Sequence, residues 1–544
     1  MALREKTWTW RNFFMCYMIS IGMTAMGYPS GVIGVTLAQP SFLLYMKFLD
    51  LEATPPGLTS DGEGLIGAMS GVYQAGAAIN VIITSYVADR WGRKRAIHYN
   101  AFHAVLGGAL VCAAQNPAMF IVGRLFAGAG AWGYLVVAPF YNAELAPPAL
   151  RGFLVGLNGI SLAIGYALGS YMGLAFHFVK SPEAQWRAPL GIALVFPVIM
   201  SAICFVVPES PRYLLMQGRV DEAREVVYKI HGSKTDIDQE FVREEFYQMT
   251  KQAEMDREST PSYIEMFTRP TYRKRTLLTM GFGFFAQSTG ILILASNGPK
   301  IYSELGYSTV KQLIFQCGWN TVGLLGTIIA AAIMDIFGRK PLVVAGMAGC
   351  CVCLVIEAAM VAAYAGEGTN KAGLEMGVAA TYIFILFQTF SFDSAGLVML
   401  GEIFPNHSRA RGLALVIAVV ALTDLVYLEV TDTAFAHIGW KYYLVFIVLS
   451  FIGIFYCYFL LPETKGIPLE EIGAIFGDPV AVYAEDLHVD HNTHQLVVDE
   501  HDIKSENRLT RITTEGDVEK RLPTDANRLQ ASVQHVNDVD AIDD

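Results

Sequence analysis

Asp89-Arg-Trp-Gly-Arg-Lys94 and Asp335-Ile-Phe-Gly-Arg-Lys340 are two copies of one motif, about 250 residues apart, and each joins one long apolar run to the next. Two further motifs repeat in the same order. Glu144, Pro147, Arg151 and Gly152 match Glu402, Pro405, Arg409, Arg411 and Gly412, and PESPR at 208–212 matches PETKG at 462–466. Three coincident offsets mark an internal duplication. Because every copy borders apolar runs, the duplication predicts a membrane protein built from two related halves.

Composition agrees: hydrophobic residues make up 53% and charged residues 16%, and the mean hydropathy is +0.39. Both depart from soluble domains towards the membrane class. Runs of the length that spans hydrocarbon lie near 13–35, 63–86, 96–114, 118–141, 152–176 and 187–207, here α1 to α6. A second set, α7 to α12, lies near 276–297, 312–334, 341–364, 376–400, 411–431 and 441–461. The expected fold class is therefore all-α, twelve transmembrane helices in two pseudo-symmetric six-helix halves. The expected domains are a terminus (1–12), a first half (13–207), an insert (208–275), a second half (276–461) and a final segment (462–544), disordered from about 480.

The densest short basic clusters are Arg90, Arg93, Lys94 and Arg95 after α2, and Arg339 and Lys340 after α8. Basic loops stay on the cytoplasmic side, so both termini and the insert are expected there, in a multi-pass protein of the plasma membrane. The insert mixes charge with helical periodicity, which predicts short amphipathic helices beneath the bundle. The net charge of −11 is weighted by the acidic tail and says little about the bundle. His488, His491 and His494 in that tail read as solvated side chains rather than a metal site, and the eight cysteines, all in apolar runs, read as buried thiols. P-loop, dinucleotide, nucleophile-elbow and metal-protease signatures are missing, so the expectation is no enzyme, no cofactor, no ATP and no nucleic acid. The partners left are a small-molecule substrate, the lipid bilayer and, as a candidate, protons.

The motifs GRLFAGAG (123–130), PFYNAELAPPALRG (139–152), PESPRYLL (208–215), DIFGRKPL (335–342), EIFPNHSRARG (402–412) and PETKG (462–466) together resemble the sugar porters of the major facilitator superfamily, most closely fungal members, over about 13–477. The resemblance implies a central substrate site between the halves and alternating access. The charges at the motif ends then have a role that electrostatics supports independently. Asp89, Glu144, Glu209, Asp335, Glu402 and Glu463 pair with Arg93, Arg151, Arg212, Arg339, Arg409 and Arg411 when the inner mouth is shut, and separate when it opens. Each exposed pair contributes only about 0–1 kcal/mol, so a network is needed.

The resemblance weakens at the binding region. Proton-coupled members carry GYDxG on α1, and this chain has Gly27-Tyr28-Pro29-Ser30-Gly31, although the α4 arginine remains as Arg124. Of the QQxxGxN amides of α7 only Gln287 survives; the α5 glutamine is replaced by Gly159 beside Asn158; GPxxW on α10 becomes Asp393 to Leu397; and a Gln-Trp pair on α11 becomes Leu422-Thr423. Acids appear instead: Asp393, Asp424, Glu429 and Glu357 within apolar runs, where an ionisable group faces a cavity or a partner. The candidate substrate-binding residues are Gln287, Asn158, Tyr166, Asp393, Asp424, Thr423 and Arg124.

The function expected is secondary transport of a small polyhydroxylated solute, sugar or polyol. Pro29 favours facilitated diffusion, and Asp393 or Asp424 offers a proton-linked route. Two alternatives stay open: a carboxylate or specialised metabolite as cargo, taken up or exported, and a transporter-like nutrient sensor that signals through the tail.

Overall fold

Each apolar run is bounded by residues that stop a helix, and in the computed structural model each forms a helix within a few residues of its expected bounds. The structure describes residues 10–37, 39–50, 57–147, 150–232, 240–256, 261–304, 307–364, 371–405, 407–467, 469 and 471–477, with three short tail segments at 487–489, 496–498 and 534–535. The first half contains α1 (Trp10–Leu37), α2 (Ser60–Trp91), α3 (Arg93–Cys112), α4 (Pro117–Leu145), α5 (Arg151–His177) and α6, which is broken into Ala184–Ile192 and Val195–Ile203. The second half contains α7 (Pro270–Gln287, continued as Ile291–Glu304), α8 (Thr309–Phe337), α9 (Arg339–Tyr364), α10 (Lys371–Gln388 and onward to Ile403), α11 (Arg409–Ile438) and α12 (Tyr442–Leu460).

Among the described residues eleven spans are long and apolar enough to cross a membrane. The remaining helix, α3, starts with Arg93, Lys94 and Arg95 and carries His98 and His103, which lowers its apolarity without shortening it. Side-chain oxygens of Thr59 and Asn116 cap α2 and α4, and Pro117 occupies the first turn of α4, where its missing N–H costs nothing. The motif glycines Gly92 and Gly338 lie at φ 97° and 93°, a region open to glycine. They let α2 turn directly into α3, and α8 into α9.

Besides α6, two helices depart from the uninterrupted form expected. α7 breaks at Ser288-Thr289-Gly290, with Gly290 at φ 79°, and α10 widens into a π-helical stretch at Thr389–Gly396. Neither break has a proline, so neither was visible in the apolar pattern.

Small residues set the packing within the first half. A Cβ on Gly128 would lie 2.0 Å from the Tyr73 carbonyl oxygen, and one on Gly27 would lie 2.4 Å from that of Leu162, so α4 against α2 and α1 against α5 approach backbone to backbone. The halves meet along α2 with α11 and α5 with α8. The insert forms helices Pro211–Met216, Val220–His231, Glu240–Asp256 and Glu265–Thr268, the first three packed around Leu214, Ala223, Val227, Phe246 and Met249. Of the tail, strands 487–489, 496–498 and 534–535 pair antiparallel. His488 lies in the first of these strands, opposite Val497, in a segment expected to be disordered; residues 1–9 and the rest of the tail, His491 and His494 included, lie outside the described residues.

Candidate functional site

At the end of the bundle that holds the repeated motifs, the charged residues pair first within each half. Arg93 Nε and Nη2 donate to Glu144 Oε2 and Oε1 at 2.9 and 2.7 Å, and Arg212 Nη1 donates to the Glu144 carbonyl at 2.8 Å. Glu209 accepts from the backbone N–H groups of Arg93 and Lys94 at 3.1 and 3.3 Å, capping α3. The second half repeats this: Arg339 Nη2 donates to Glu402 Oε1 at 3.3 Å, and Glu463 accepts from the N–H groups of Arg339 and Lys340 at 3.0 Å each.

A second set of contacts crosses between the halves. Arg411 Nε lies 3.5 Å from Asp89 Oδ2 and Arg409 Nη1 lies 3.8 Å from Glu144 Oε1. In the mirror-related place Asp335 Oδ2 accepts from the Phe153 N–H at 3.0 Å, and Arg151 Nη1 donates to the Ile467 carbonyl at 3.3 Å. The acid ending α2 thus holds the start of α11, and the acid ending α8 holds the start of α5. All twelve of these residues lie in this layer, with Glu209 and Glu463 on backbone N–H groups and Arg151 and Arg212 on backbone carbonyls.

The insert adds a contact to each half that the motifs do not announce. His231 Nε2 lies 2.9 Å from the Leu145 carbonyl at the end of α4, and its Nδ1 lies 2.5 Å from Glu245 Oε2. Two acceptors flanking both ring nitrogens call for a doubly protonated ring. Burial opposes that charge, but the Glu245 carboxylate outweighs it, so the His231 pKa is raised above its ordinary value. Three turns along the same helix, Asp256 Oδ1 lies 3.1 Å from Nδ1 of His407 at the start of α11, whose Nε2 meets the Tyr272 hydroxyl at 2.8 Å. Helix Glu240–Asp256 therefore straps both halves.

Half-way along the bundle lies a polar cluster. Beside Pro29 on α1, Ser30 Oγ bonds the Tyr73 hydroxyl at 3.0 Å. The Arg124 guanidinium stacks 3.9 Å from the centre of the Tyr73 ring, and its Nε donates to the Met69 carbonyl at 3.1 Å. Arg124 is thus held by a ring face and a carbonyl, with no carboxylate against it among the described residues. Across the interface, Tyr166 of α5 sits in the field of both Asp393 and Asp424.

Two departures from the family pattern lie side by side. A Cβ on Gly159 would lie 2.3 Å from the Asp393 carbonyl oxygen. The Asp393 carbonyl, within the π-helical stretch, thus occupies the space where a longer residue on α5 would stand. Of the other candidates, Asn158 is buried with its Oδ1 unpaired. Gln287 makes no side-chain hydrogen bond among the described residues, and Thr423 turns back to its own helix at the Val419 carbonyl. Residues outside the expected binding set complete the region: Gln388, which accepts from Thr289 Oγ1 at 3.1 Å, and Tyr427, which meets Ser288 Oγ at 2.7 Å. Tyr73 is a third. An amide at the end of an apolar helix and tyrosines at helical spacing give no signal distinct from packing.

Comparison with known proteins bears on this geometry. Residues 15–476 match the family model described as sugar (and other) transporter. The chain is 29% identical over 464 residues to the MFS-type transporter criB of Aspergillus cristatus, covering 85% of this chain and 92% of that one. It is 28% identical to a high-affinity glucose transporter of Kluyveromyces lactis (80% and 81% covered) and 27% identical to a quinate permease of Neurospora africana (91% and 92%). Among solved structures, the proton:xylose symporter XylE bound to 6-bromo-6-deoxy-D-glucose superposes with a TM-score of 0.74 at 22% identity, covering 85% of this chain and 99% of that one. With the duplicated motifs, the twelve-helix fold and a match over most of its length, the chain belongs to the sugar (and other) transporter family of multi-pass membrane transporters.

Proposed function

We propose that the protein is a secondary transporter that moves a small polyhydroxylated solute, a sugar or polyol, across the plasma membrane by alternating access, with both termini and the insert in the cytoplasm. The observation that carries this reading is the charged layer at the motif end. Contacts between the halves there are single ion pairs at 3.5 and 3.8 Å and backbone hydrogen bonds, each weaker than the two short hydrogen bonds by which Arg93 holds Glu144 within the first half. Such a layer parts as two rigid bodies. Its sum is the few kcal/mol that a transporter needs between inward and outward states. The glucose-transporting relative and the amides and hydroxyls of Gln287, Gln388, Asn158 and Tyr166 support a hydroxyl-bearing cargo.

A carboxylate is the second reading, favoured by Arg124, whose guanidinium faces no acid among the described residues, and by the quinate permease relative. Uptake of labelled glucose, myo-inositol and quinate by cells lacking their own carriers separates the two. Entry of glucose or myo-inositol is expected; entry of quinate alone, lost in Arg124→Gln, replaces the first reading by the second.

A further inference from the structure

Among the described residues Asp393, Asp424 and Glu357 of the second half make no ion pair, and the first two share a neighbour, Tyr166. Asp424 is 1% exposed, and its Oδ1 has no hydrogen-bond partner. Among the described residues neither Asp424 nor Asp393 has a lysine, arginine or histidine nitrogen within ion-pair distance. The ionisable groups that face them are Tyr166 from α5, Tyr427 one turn along α11, Cys350 from α9, and, next to Tyr166, Tyr73 from α2. Arg124 is taken up by Tyr73 and the Met69 carbonyl.

The acids differ in depth. Asp424 lies midway between Arg409 and Ile438, on the order of 20 Å from either end of α11 at helical rise. Asp393 lies nearer Ile403 at the motif end of α10, roughly 15 Å from it by the same rise. Tyr166 sits in the field of both, and the π-helical stretch that holds Asp393 is a distortion concentrated at functional sites.

We propose that Asp424 and Asp393 form a proton-binding pair, bridged by Tyr166, that couples transport to protons from the second half in place of the acid missing from α1. This rests on the transport reading above. A buried carboxylate with no cation beside it costs far less with a proton on it. Asp424 is 1% exposed and so out of reach of a solute in this state, whereas Asp393 is partly exposed. The stagger in depth lets Asp424 load a proton at the midplane and Asp393 pass it towards the motif end when that end opens.

The test uses the full-length protein, purified and then reconstituted in liposomes, with Asp424→Asn and Asp393→Asn. Infrared difference spectra against pH need no solute: a carboxylic-acid carbonyl band is expected in the wild type and lost in Asp424→Asn. Absence of that band, or its persistence in both variants, overturns the proposal whatever the cargo. With glucose and myo-inositol as probes, the wild type is expected to accumulate one of them by up to about tenfold per pH unit of gradient. The asparagine variants are expected to fall to unity while still exchanging that solute when it is present on both sides. Accumulation unchanged in both variants overturns the coupling, as does loss of exchange in a variant that remains monodisperse, which assigns the acids to solute binding. If neither probe enters but the band behaves as expected, the sugar-or-polyol reading falls and the proton site stands.

Discussion

At the level of single residues, the charged layer separates partners of unequal weight. Glu144 is fully buried between Arg93 and Arg409, so Glu144→Gln leaves two guanidinium groups without their carboxylate. A loss of roughly 3–5 kcal/mol is expected, read as a sharp drop in melting temperature or in yield of folded protein. Asp89 and Arg411 are about a fifth exposed. Asp89→Asn is expected to cost no more than about 1 kcal/mol in stability and to show instead as a shift in the uptake rate. Equal melting losses in the two variants contradict the division between holding and gating pairs. Gly159→Ala places a methyl 2.3 Å from a backbone oxygen, so about 1–3 kcal/mol of destabilisation is expected in the same melting assay. The charges were legible because each acid recurs in a copied motif, as do the arginines other than Arg212, whose counterpart is Gly466. Tyr73 and Gln388 were not, because nothing in a single sequence separates a tyrosine that backs an arginine from one that fills a gap.

Among the elements, the insert helix Glu240–Asp256 has the most to test. The His231 pKa is raised in the folded protein by Glu245, so the stabilisation from this clamp is full below the ordinary histidine value near 6.5. It is lost as pH rises through the raised folded value. Melting temperature is therefore expected to fall on going from mildly acidic to alkaline pH, and His231→Gln to flatten that dependence over the same window. A profile equally steep in the variant assigns the pH dependence elsewhere. The sequence predicted amphipathic helices in the insert, since mixed charge with apolar spacing needs only local information. It did not predict that one of them straps both halves, because His231, Glu245, Asp256 and His407 come together only in three dimensions. The breaks in α7 and α10 were hidden for a related reason: Gly290 and the run Thr389–Gly396 look like ordinary membrane-helix composition.

Across the whole molecule, duplication carried most of the fold. Once the two DxxGRK turns are aligned, the helix count, the pairing of α2 with α11 and α5 with α8, and the charged layer follow from a single approximate two-fold relation. The centre does not follow, because there the halves have diverged: the first keeps Arg124, Tyr73 and Tyr166, and the second has acquired Asp393 and Asp424. A symmetric scaffold around an asymmetric centre is what a two-state carrier requires, since the halves rock as equivalents while the cargo meets unlike walls.

The claim that the two halves part at the motif end is tested most directly by a distance across it. Arg95 and Pro341 are equivalent exposed positions on opposite halves. Spin labels placed there, with the half-buried Cys112 and Cys351 replaced by serine, report their separation by pulsed electron resonance. With the solute that the uptake panel identifies, a second, longer distance is expected to appear, and to grow in population in Asp89→Asn. One unchanged distance in a protein that transports that solute contradicts the account.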